Sequence, residues 1–286
     1  MNIAIVILAA GQGVRMKSSL PKVLHPLAGK PLIRHVLETA RQLTDQPPVV
    51  VIGHGGDQVQ AVVGNDGTCV RQEQQLGTAH AVMTARSLLA GTADLVLVMN
   101  SDMPLLTART LQSLVQAQAE NRGPISMLTL LSADSRGFGR VVRDGRGMVQ
   151  AIIEEAHATP EQLAIRELNA GVYCFRAEWL WQALERIPLS PKGEYYLTDT
   201  VGLAAEEGLP IEVSIVDDPA EALGINTRVH LAEAETHLRQ RINRRWMLAG
   251  VTILDPATTY IEADVTIGAD TVLYPNTHLR GNTTIG

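Results

Sequence analysis

A glycine-containing loop near the start of the chain has the residue types of a phosphate-binding site. Residues 8–16 read Leu-Ala-Ala-Gly-Gln-Gly-Val-Arg-Met, and Pro21 and Lys22 follow shortly afterwards. Glycines let the backbone approach a phosphate closely, and the amide N–H groups can hold it. Arg15 and Lys22 add two cations that suit a triphosphate and its leaving pyrophosphate. A tight structural turn flanked by solvated surface charges is the alternative interpretation of the same residues.

Two better-known phosphate motifs do not fit this loop. A dinucleotide-binding fingerprint would require a third glycine at the position of Met16. A P-loop would require Gly-Lys-Ser or Gly-Lys-Thr, which the loop lacks.

The elements around the loop predict an α/β fold with a mostly parallel sheet and right-handed crossovers. Apolar runs typical of strands buried on both faces occupy residues 3–9, 49–52, 94–99 and 125–131. Helical spacing of apolar residues predicts helices over residues 31–43, 78–89 and 105–119. Ligands of such sheets bind beyond the carboxyl ends of the strands. Residues 11–13 and 100–102 each follow directly after a predicted strand, so both should lie there.

The pattern changes after residue 228. Apolar spacing predicts a connecting helix over residues 229–250, and residues 251–286 then carry an internal repeat. Its apolar positions recur every six residues, at Ile261, Ile267, Leu273, Leu279 and Ile285. A six-residue period indicates the coils of a parallel β-helix. Because such solenoids need several coils and a cap, we expect the chain to be a truncated piece of a longer repeat.

Composition excludes several classes of protein. The 286 residues are 45% hydrophobic but only 3% aromatic, so the core must be aliphatic. The net charge is −6 without a basic run, so nucleic acid is not an expected partner. No stretch reaches the roughly 18 apolar residues that a membrane helix needs, so a membrane is not an expected partner either. Cys69 and Cys174 are far apart and without metal-ligand spacing, which predicts free thiols in a reducing compartment, the cytoplasm. The histidines lack the spacing of zinc ligands, and no Ser-His-Asp order stands out, so neither a metallohydrolase nor a nucleophile-based hydrolase is expected.

A set of ordered motifs resembles the sugar-1-phosphate nucleotidyltransferases. Within them the chain is most similar to the bacterial bifunctional N-acetylglucosamine-1-phosphate uridylyltransferase/glucosamine-1-phosphate acetyltransferases. Besides the loop and Pro21-Lys22, the resemblance rests on the segments at residues 53–56, 73–81, 137–140, 169–171, 193–199 and 224–226, and on the six-residue repeat. It covers essentially the whole chain.

The resemblance implies a fold, a reaction and an assembly. The fold would be a Rossmann-like, GT-A-like nucleotidyltransferase domain over residues 1–228, followed by the first coils of a left-handed parallel β-helix. The reaction would be the Mg²⁺-dependent formation of UDP-N-acetylglucosamine and pyrophosphate from UTP and N-acetylglucosamine 1-phosphate, for cell-envelope precursors. A full-length protein would form a homotrimer. Acetyl transfer is not expected from a chain of this length.

The resemblance also implies roles for matching residues. Arg15 and Lys22 would act in catalysis, while Asp102 and Asn226 would hold Mg²⁺ through hard oxygen ligands. Nucleotide binding would fall to Leu8, Ala9, Ala10, Gly11, Gly13, Gln72, Gly77 and Thr78, of which Thr78 also borders the sugar. Sugar binding would fall to Gly139, Glu154, Asn169 and Thr198. Taken alone, Asp102 and Asn226 are equally typical of turns or helix caps, and Glu154 of a surface charge.

Three departures from the family pattern bear on sugar selectivity and rate. The family usually has Gly before the metal aspartate, often preceded by Tyr, but this chain has Asn100 and Ser101. A Lys-Asp-Ala segment typically follows the glutamate, whereas this chain has Glu155, Ala156 and His157 before Ala158. Two alternatives therefore stay open: a related enzyme using dTTP or another sugar 1-phosphate, and a catalytically silent binding or assembly module.

Overall fold

The computed structural model describes residues 1–286. The strands are β1 (Ile3–Ala9), β2 (Pro26–Leu27), β3 (Lys30–Pro31), β4 (Val49–Ile52), β5 (Thr68–Arg71), β6 (Leu95–Asn100), β7 (Ile125–Leu131), β8 (Arg140–Arg143), β9 (Val149–Ile153), β10 (Glu167–Arg176), β11 (Ile211–Ile215), β12 (Thr252–Ile253), β13 (Tyr260–Ile261), β14 (Thr266–Ile267), β15 (Val272–Leu273), β16 (His278–Leu279) and β17 (Thr284–Ile285). The helices are α1 (Leu32–Ala40), α2 (Gly56–Val63), α3 (Thr78–Thr84), α4 (Arg86–Leu89), α5 (Ala108–Glu120), α6 (Pro160–Leu163), α7 (Ala177–Leu184), α8 (Asp199–Glu206) and α9 (Arg228–Leu248).

A nine-stranded sheet forms the centre of the molecule, in the order β11-β7-β10-β6-β1-β4-β5 with β8 and β9 attached beside β10. The pairs β11–β7, β6–β1, β1–β4 and β4–β5 are parallel. The strand β10 runs antiparallel to both of its neighbours, β6 and β7. The expected α/β architecture with a mostly parallel sheet is confirmed.

Alternation along β1 shows why its apolar run is continuous. Ile5 and Ile7 pack into the core on one face of the sheet, while Ala4 and Val6 pack into the core on the other. Helices α1, α2 and α5 cover the first face, and α3, α7 and α8 cover the second. A strand between two helical layers has no solvated side, so both sets of its side chains are apolar.

Several elements differ from the sequence-based expectation. The helix expected over residues 78–89 is divided at Ala85 into α3 and α4, and the one expected over 31–43 ends at Ala40. The reversed strand β10 and the antiparallel pair β8–β9 were not predicted at all. Their apolar residues are interrupted by polar ones, so no long apolar run indicates them.

The six-residue repeat forms short parallel strands after α9. β12 pairs with β15, β13 with β16 and β14 with β17, each in a separate two-stranded sheet. Successive strands thus lie on three faces, and each pairs with the strand three places later. Ile253, Ile261, Ile267 and Leu273 are buried between these faces. The left hand of the coil and the domain boundaries stay predictions. No helix in the structure combines the length and apolarity needed to cross a membrane.

Candidate active site

A cleft of about 620 Å³ lies beyond the carboxyl ends of β1 and β6. Its lining includes all eight residues predicted to bind the nucleotide: Leu8, Ala9, Ala10, Gly11, Gly13, Gln72, Gly77 and Thr78. Arg15, Lys22, Asp102 and Asn226 line the same cleft. The parallel strands deliver these residues to one edge because each strand ends there.

Gly13 is required by the close approach of Lys22. Its φ of 62° lies in the left-handed region, and a Cβ added there would be 2.6 Å from Cβ of Lys22. Only glycine accepts both the conformation and the contact without strain. The loop backbone and the stem of Lys22 therefore pack directly on each other, and the loop aims the ammonium across the cleft.

The Lys22 ammonium lies between the two predicted metal ligands. Its Nζ donates to Oδ2 of Asp102 at 2.6 Å and to Oδ1 of Asn226 at 3.1 Å. The backbone N–H of Ile225 donates to the carbonyl oxygen of Asp102 at 2.8 Å, which ties the two loops together. Residues far apart in sequence thus converge on one cation, with the side chains of Lys22 and Asp102 only 14% and 18% exposed.

This donor set fits a hard divalent cation that brings other ligands with it. A carboxylate oxygen and an amide oxygen face a single positive charge, as the contacts of Lys22 show. No group of three or more His, Cys, Asp or Glu side chains is arranged as a complete metal site. Mg²⁺ suits such a pair because it retains waters and binds substrate phosphates as its remaining ligands.

Arg15 differs from Lys22 in its surroundings. Its side chain is exposed at the mouth of the cleft and takes part in none of the ion pairs of the structure. No protein carboxylate neutralises its guanidinium, so its charge is available to an anion entering the cleft.

Gln72 is oriented by two hydrogen bonds inside the protein. Its side chain is buried, and Nε2 donates to the carbonyl oxygen of Gly77 at 3.0 Å and lies 2.9 Å from Nδ1 of His80. Because a carbonyl can only accept, the nitrogen of the amide must face Gly77. With both amide hydrogens engaged, Oε1 is left as an acceptor for a ligand.

The predicted sugar residues do not line this cleft and form two hydrogen-bonded pairs outside its lining. The hydroxyl of Thr198 donates to Oε1 of Glu154 at 3.4 Å, and the N–H of Asn169 donates to the carbonyl oxygen of Gly139 at 2.9 Å. Thr78, which does line the cleft, accepts through Oγ1 from the N–H of Leu197 at 2.9 Å, next to Thr198.

The reversed direction of β10 explains how Asn169 reaches this edge of the sheet. Asn169 lies near the start of β10, and that strand is antiparallel to β6, whose end carries Asn100. The start of an antiparallel strand lies at the same edge as the end of its neighbour. Asn169, a predicted sugar residue, and Asp102, a predicted metal ligand just after β6, therefore lie at the same edge of the sheet, although Asn169 is near the start of its strand.

Burial shifts the acidity of two carboxyl groups in this region. Partial burial raises the pKa of Glu154 above its usual range, and the hydrogen bond from Thr198 opposes that shift only in part. Burial likewise raises the pKa of Asp199, which follows Thr198 at the start of α8. Removing a carboxylate from water disfavours its charged form. Both groups therefore remain protonated to higher pH than an exposed carboxyl group.

The two departures before Asp102 turn their polar atoms onto the backbone. Ser101 Oγ donates to the carbonyl oxygen of Leu8 at 2.6 Å, beside the bond from its own N–H at 3.1 Å. Asn100 Nδ2 donates to the carbonyl oxygen of Gly171 at 3.2 Å. Ser101 thus joins β6 to β1, and Asn100 joins it to β10.

Nine residues that line the cleft were absent from the predicted site: Gln12, Val14, Val23, Gln75, Ala81, Asn100, Ser101, Glu194 and Tyr196. Gln75 donates from Nε2 to the carbonyl oxygen of Ala10 at 2.8 Å and so fastens the glycine-containing loop. Gln75, Glu194 and Tyr196 lie within motifs that carry the resemblance, at residues 73–81 and 193–199. The motifs gave the signal, but no residue type in them indicated contact with the loop.

The chain is similar in sequence to bacterial proteins described as "Bifunctional protein GlmU". The chain is 47% identical to the one from Exiguobacterium sibiricum, over 100% of this chain and 64% of that protein. It is 46% identical to the protein from Brevibacillus brevis, over 98% of this chain and 61% of that protein. It is 45% identical to the protein from Shouchella clausii, over 98% of this chain and 62% of that protein. The resemblance expected from the motifs is confirmed, and the chain spans a little over three fifths of these relatives' length.

Among solved structures, a CMP:2-keto-3-deoxy-manno-octonic acid synthetase complexed with CTP has a similar fold. Its TM-score is 0.61 at 20% identity, and the match covers 84% of this chain and 100% of that one. The family model described as the MobA-like NTP transferase domain matches residues 5–195, which include the loop, Lys22, Asp102 and Asn169. Because this family model matches well over half of the chain, the chain belongs to the MobA-like NTP transferase domain family.

Proposed function

We propose that the chain is a uridylyltransferase that forms UDP-N-acetylglucosamine and pyrophosphate from UTP and N-acetylglucosamine 1-phosphate. The observation that carries the proposal is the convergence of Lys22, Asp102 and Asn226 under the glycine-containing loop. The GlmU relatives support the choice of substrates. The cytoplasm, where these substrates would be found, is the proposed location.

The chemistry follows from the charges involved. A phosphate oxygen of the sugar 1-phosphate is already an anionic nucleophile at neutral pH, so attack on the α-phosphorus of UTP needs no catalytic base. The barrier comes from repulsion between anions and from charge on the departing pyrophosphate. Arg15, Lys22 and the amides of the loop would lower that barrier by placing positive charge around the polyphosphate.

A magnesium ion would complete the site. We propose that Oδ2 of Asp102 and Oδ1 of Asn226 hold it, since both oxygens already face one cation. When bound, Mg²⁺ supplies charge neutralisation and orientation of the phosphates. Glu154 would accept hydrogen bonds from sugar hydroxyls, and Asn169 would both accept and donate them. Gly139 and Thr198 would complete the sugar pocket.

Gln72 supports a uracil or thymine base. Its free Oε1 is an acceptor, and the ring N3–H of these two bases is a donor, whereas N3 of cytosine is an acceptor. The same argument favours dTTP as much as UTP, so a related thymidylyltransferase is the second candidate.

The proposal extends to the repeat. We infer that residues 251–286 form coils of a left-handed β-helix, that residues 1–228 form the catalytic domain, and that the protein assembles as a homotrimer. The three two-stranded parallel sheets support the coil, because each joins one turn of chain to the next.

Pyrophosphate release separates these candidates. We expect release with UTP, Mg²⁺ and N-acetylglucosamine 1-phosphate, and slower release with dTTP or with other hexose 1-phosphates. Faster turnover of dTTP would replace the uridylyl proposal by the thymidylyl one. Calorimetry that shows UTP binding without turnover of any pair would instead support a silent binding module.

A further inference from the structure

We infer that the ammonium of Lys22 competes with the metal ion for Asp102 and Asn226, and that the two cations exchange during the reaction cycle. The inference rests on the proposed metal site, but the catalytic proposal assigned Lys22 only to the phosphates. The contacts on which it depends are those at 2.6 Å and 3.1 Å from Nζ to the two oxygens.

Electrostatic repulsion keeps the two cations from occupying the site together. The carboxylate of Asp102 already has a cation at contact distance, and both side chains are largely shielded from water. A divalent ion entering the same place would meet a like charge, whose repulsion in a partly buried site is strong. The ion can therefore bind well only when the ammonium moves away.

Coordination distances also differ between the two cations. Mg²⁺ binds oxygen at about 2.0–2.1 Å, well below the 2.6 Å and 3.1 Å N–O distances around Lys22, so the ion would lie closer to both oxygens than the ammonium does. Lys22 has a flexible stem and three rotatable donors, which allow its ammonium to turn from the carboxylate to a phosphate. A triphosphate entering the cleft offers it such an anion, so nucleotide and metal binding promote each other.

Lys22→Met tests this competition, since methionine retains the stem and removes the charge. Mn²⁺ serves as the probe because it shares the oxygen preference of Mg²⁺, and its free-ion paramagnetic resonance signal falls on binding. Without nucleotide, we expect Lys22→Met to bind Mn²⁺ about 10- to 100-fold more tightly than the unchanged chain, the range of one charge-assisted contact.

The controls identify the position of the ion. Lys22→Arg keeps a cation and should show no gain, and adding Asp102→Asn to Lys22→Met should abolish the gain. Lys17 is the control, because it is exposed and takes part in none of the ion pairs of the structure, so its replacement frees no carboxylate. We expect Lys17→Met to leave Mn²⁺ binding unchanged.

Two outcomes would overturn the inference: equal affinity of the unchanged chain and Lys22→Met, or a gain that survives Asp102→Asn. Circular dichroism checks that the variants fold. If Lys22→Met does not fold, Lys22→Gln provides a second neutral side chain for the same measurement. The titration needs no turnover, so its failure is distinct from failure in the pyrophosphate-release assay.

Discussion

The residues before Asp102 show how a departure from a family pattern can be absorbed locally. Ser101 adds a hydroxymethyl group where the family usually has glycine. In the structure its hydroxyl is bonded to the carbonyl oxygen of Leu8, and the residue is buried. The extra atoms thus strengthen the junction between two strands while the backbone still borders the cleft.

Ser101→Gly measures that junction. We expect the free energy of unfolding to fall by about 1 kcal/mol, because a hydrogen bond is lost and the unfolded chain gains freedom. Denaturant unfolding provides the measurement, and kcat should change less than about twofold if the hydroxyl does not crowd the ligand. A large rise in kcat would show that it does.

Arg15→Ala should separate catalysis from stability. The exposed guanidinium forms no ion pair in the protein, so its loss should leave the unfolding midpoint unchanged. If it stabilises departing pyrophosphate, turnover should fall roughly 10²-fold. Arg146→Ala, which removes an exposed arginine from the β8–β9 turn, is the matched control and should retain full activity.

Glu154 should confer a pH dependence on sugar binding. Its raised pKa means that the carboxylate becomes protonated on acidification at a higher pH than an exposed glutamate, whose value is about 4.3. Protonation removes an acceptor, so KM for the sugar phosphate should rise as pH falls through that pKa. Glu154→Gln should have a higher KM throughout and lack this step. An identical pH profile in the variant would assign the step to the substrate phosphate.

At the scale of elements, the loop after β1 depends on two glycines for different reasons. Gly13 has a positive φ and contacts the stem of Lys22, whereas a Cβ at Gly11 would meet no atom within 4 Å. Gly13 is therefore needed for the conformation of the loop itself. Gly11 leaves open space at the cleft, where we propose that phosphate approaches.

Alanine at each position tests this division. Gly13→Ala should lower stability by about 1–2 kcal/mol, through strain in the left-handed region, and should displace Lys22. Gly11→Ala should leave stability nearly unchanged but weaken UTP binding. Thermal unfolding and UTP calorimetry measure the two effects. Normal UTP affinity in Gly11→Ala would place the phosphates elsewhere.

The sequence indicated the parallel part of the sheet but not its reversed strand. The apolar runs of β1, β4 and β7 are local signals, and their bounds agree with the structure. The position of β10 between β6 and β7 depends on pairing between distant segments, for which no local signal exists. For the same reason the sequence placed Lys22 near the loop but did not reveal its contact with Asp102 and Asn226.

At the scale of the whole molecule, the turn between β2 and β3 joins the sheet domain to α9 and the repeat. Leu27 packs with Ala234 of α9, and Ala28 packs with the buried apolar residues of the repeat. The N–H of Ala28 donates to Oε2 of Glu235 at 2.9 Å, and its carbonyl accepts from Ala263 at 2.9 Å. The proposed domain boundary at residue 228 therefore does not coincide with a break in packing.

Glu235→Ala tests how strongly this junction stabilises the fold. It leaves the buried N–H of Ala28 without its acceptor, which should lower the free energy of unfolding by about 1–3 kcal/mol. Glu233→Ala is the control on the same helix, since Glu233 forms only an exposed pair with Arg136 and should change stability by less than about 0.5 kcal/mol. Equal losses in the two variants would contradict a special role for the junction.

The reversed strand also has a consequence for synthesis on the ribosome. Strands β1, β4, β5 and β6 all precede β10 in the chain, and β7 pairs with β10 rather than with β6. Until Arg176 has emerged, the nascent sheet exposes one edge of β6, an apolar strand open to pairing with other chains. The interval between the emergence of β6 and the emergence of β10 from the ribosome is thus the one in which a chaperone would protect this protein most effectively from aggregation.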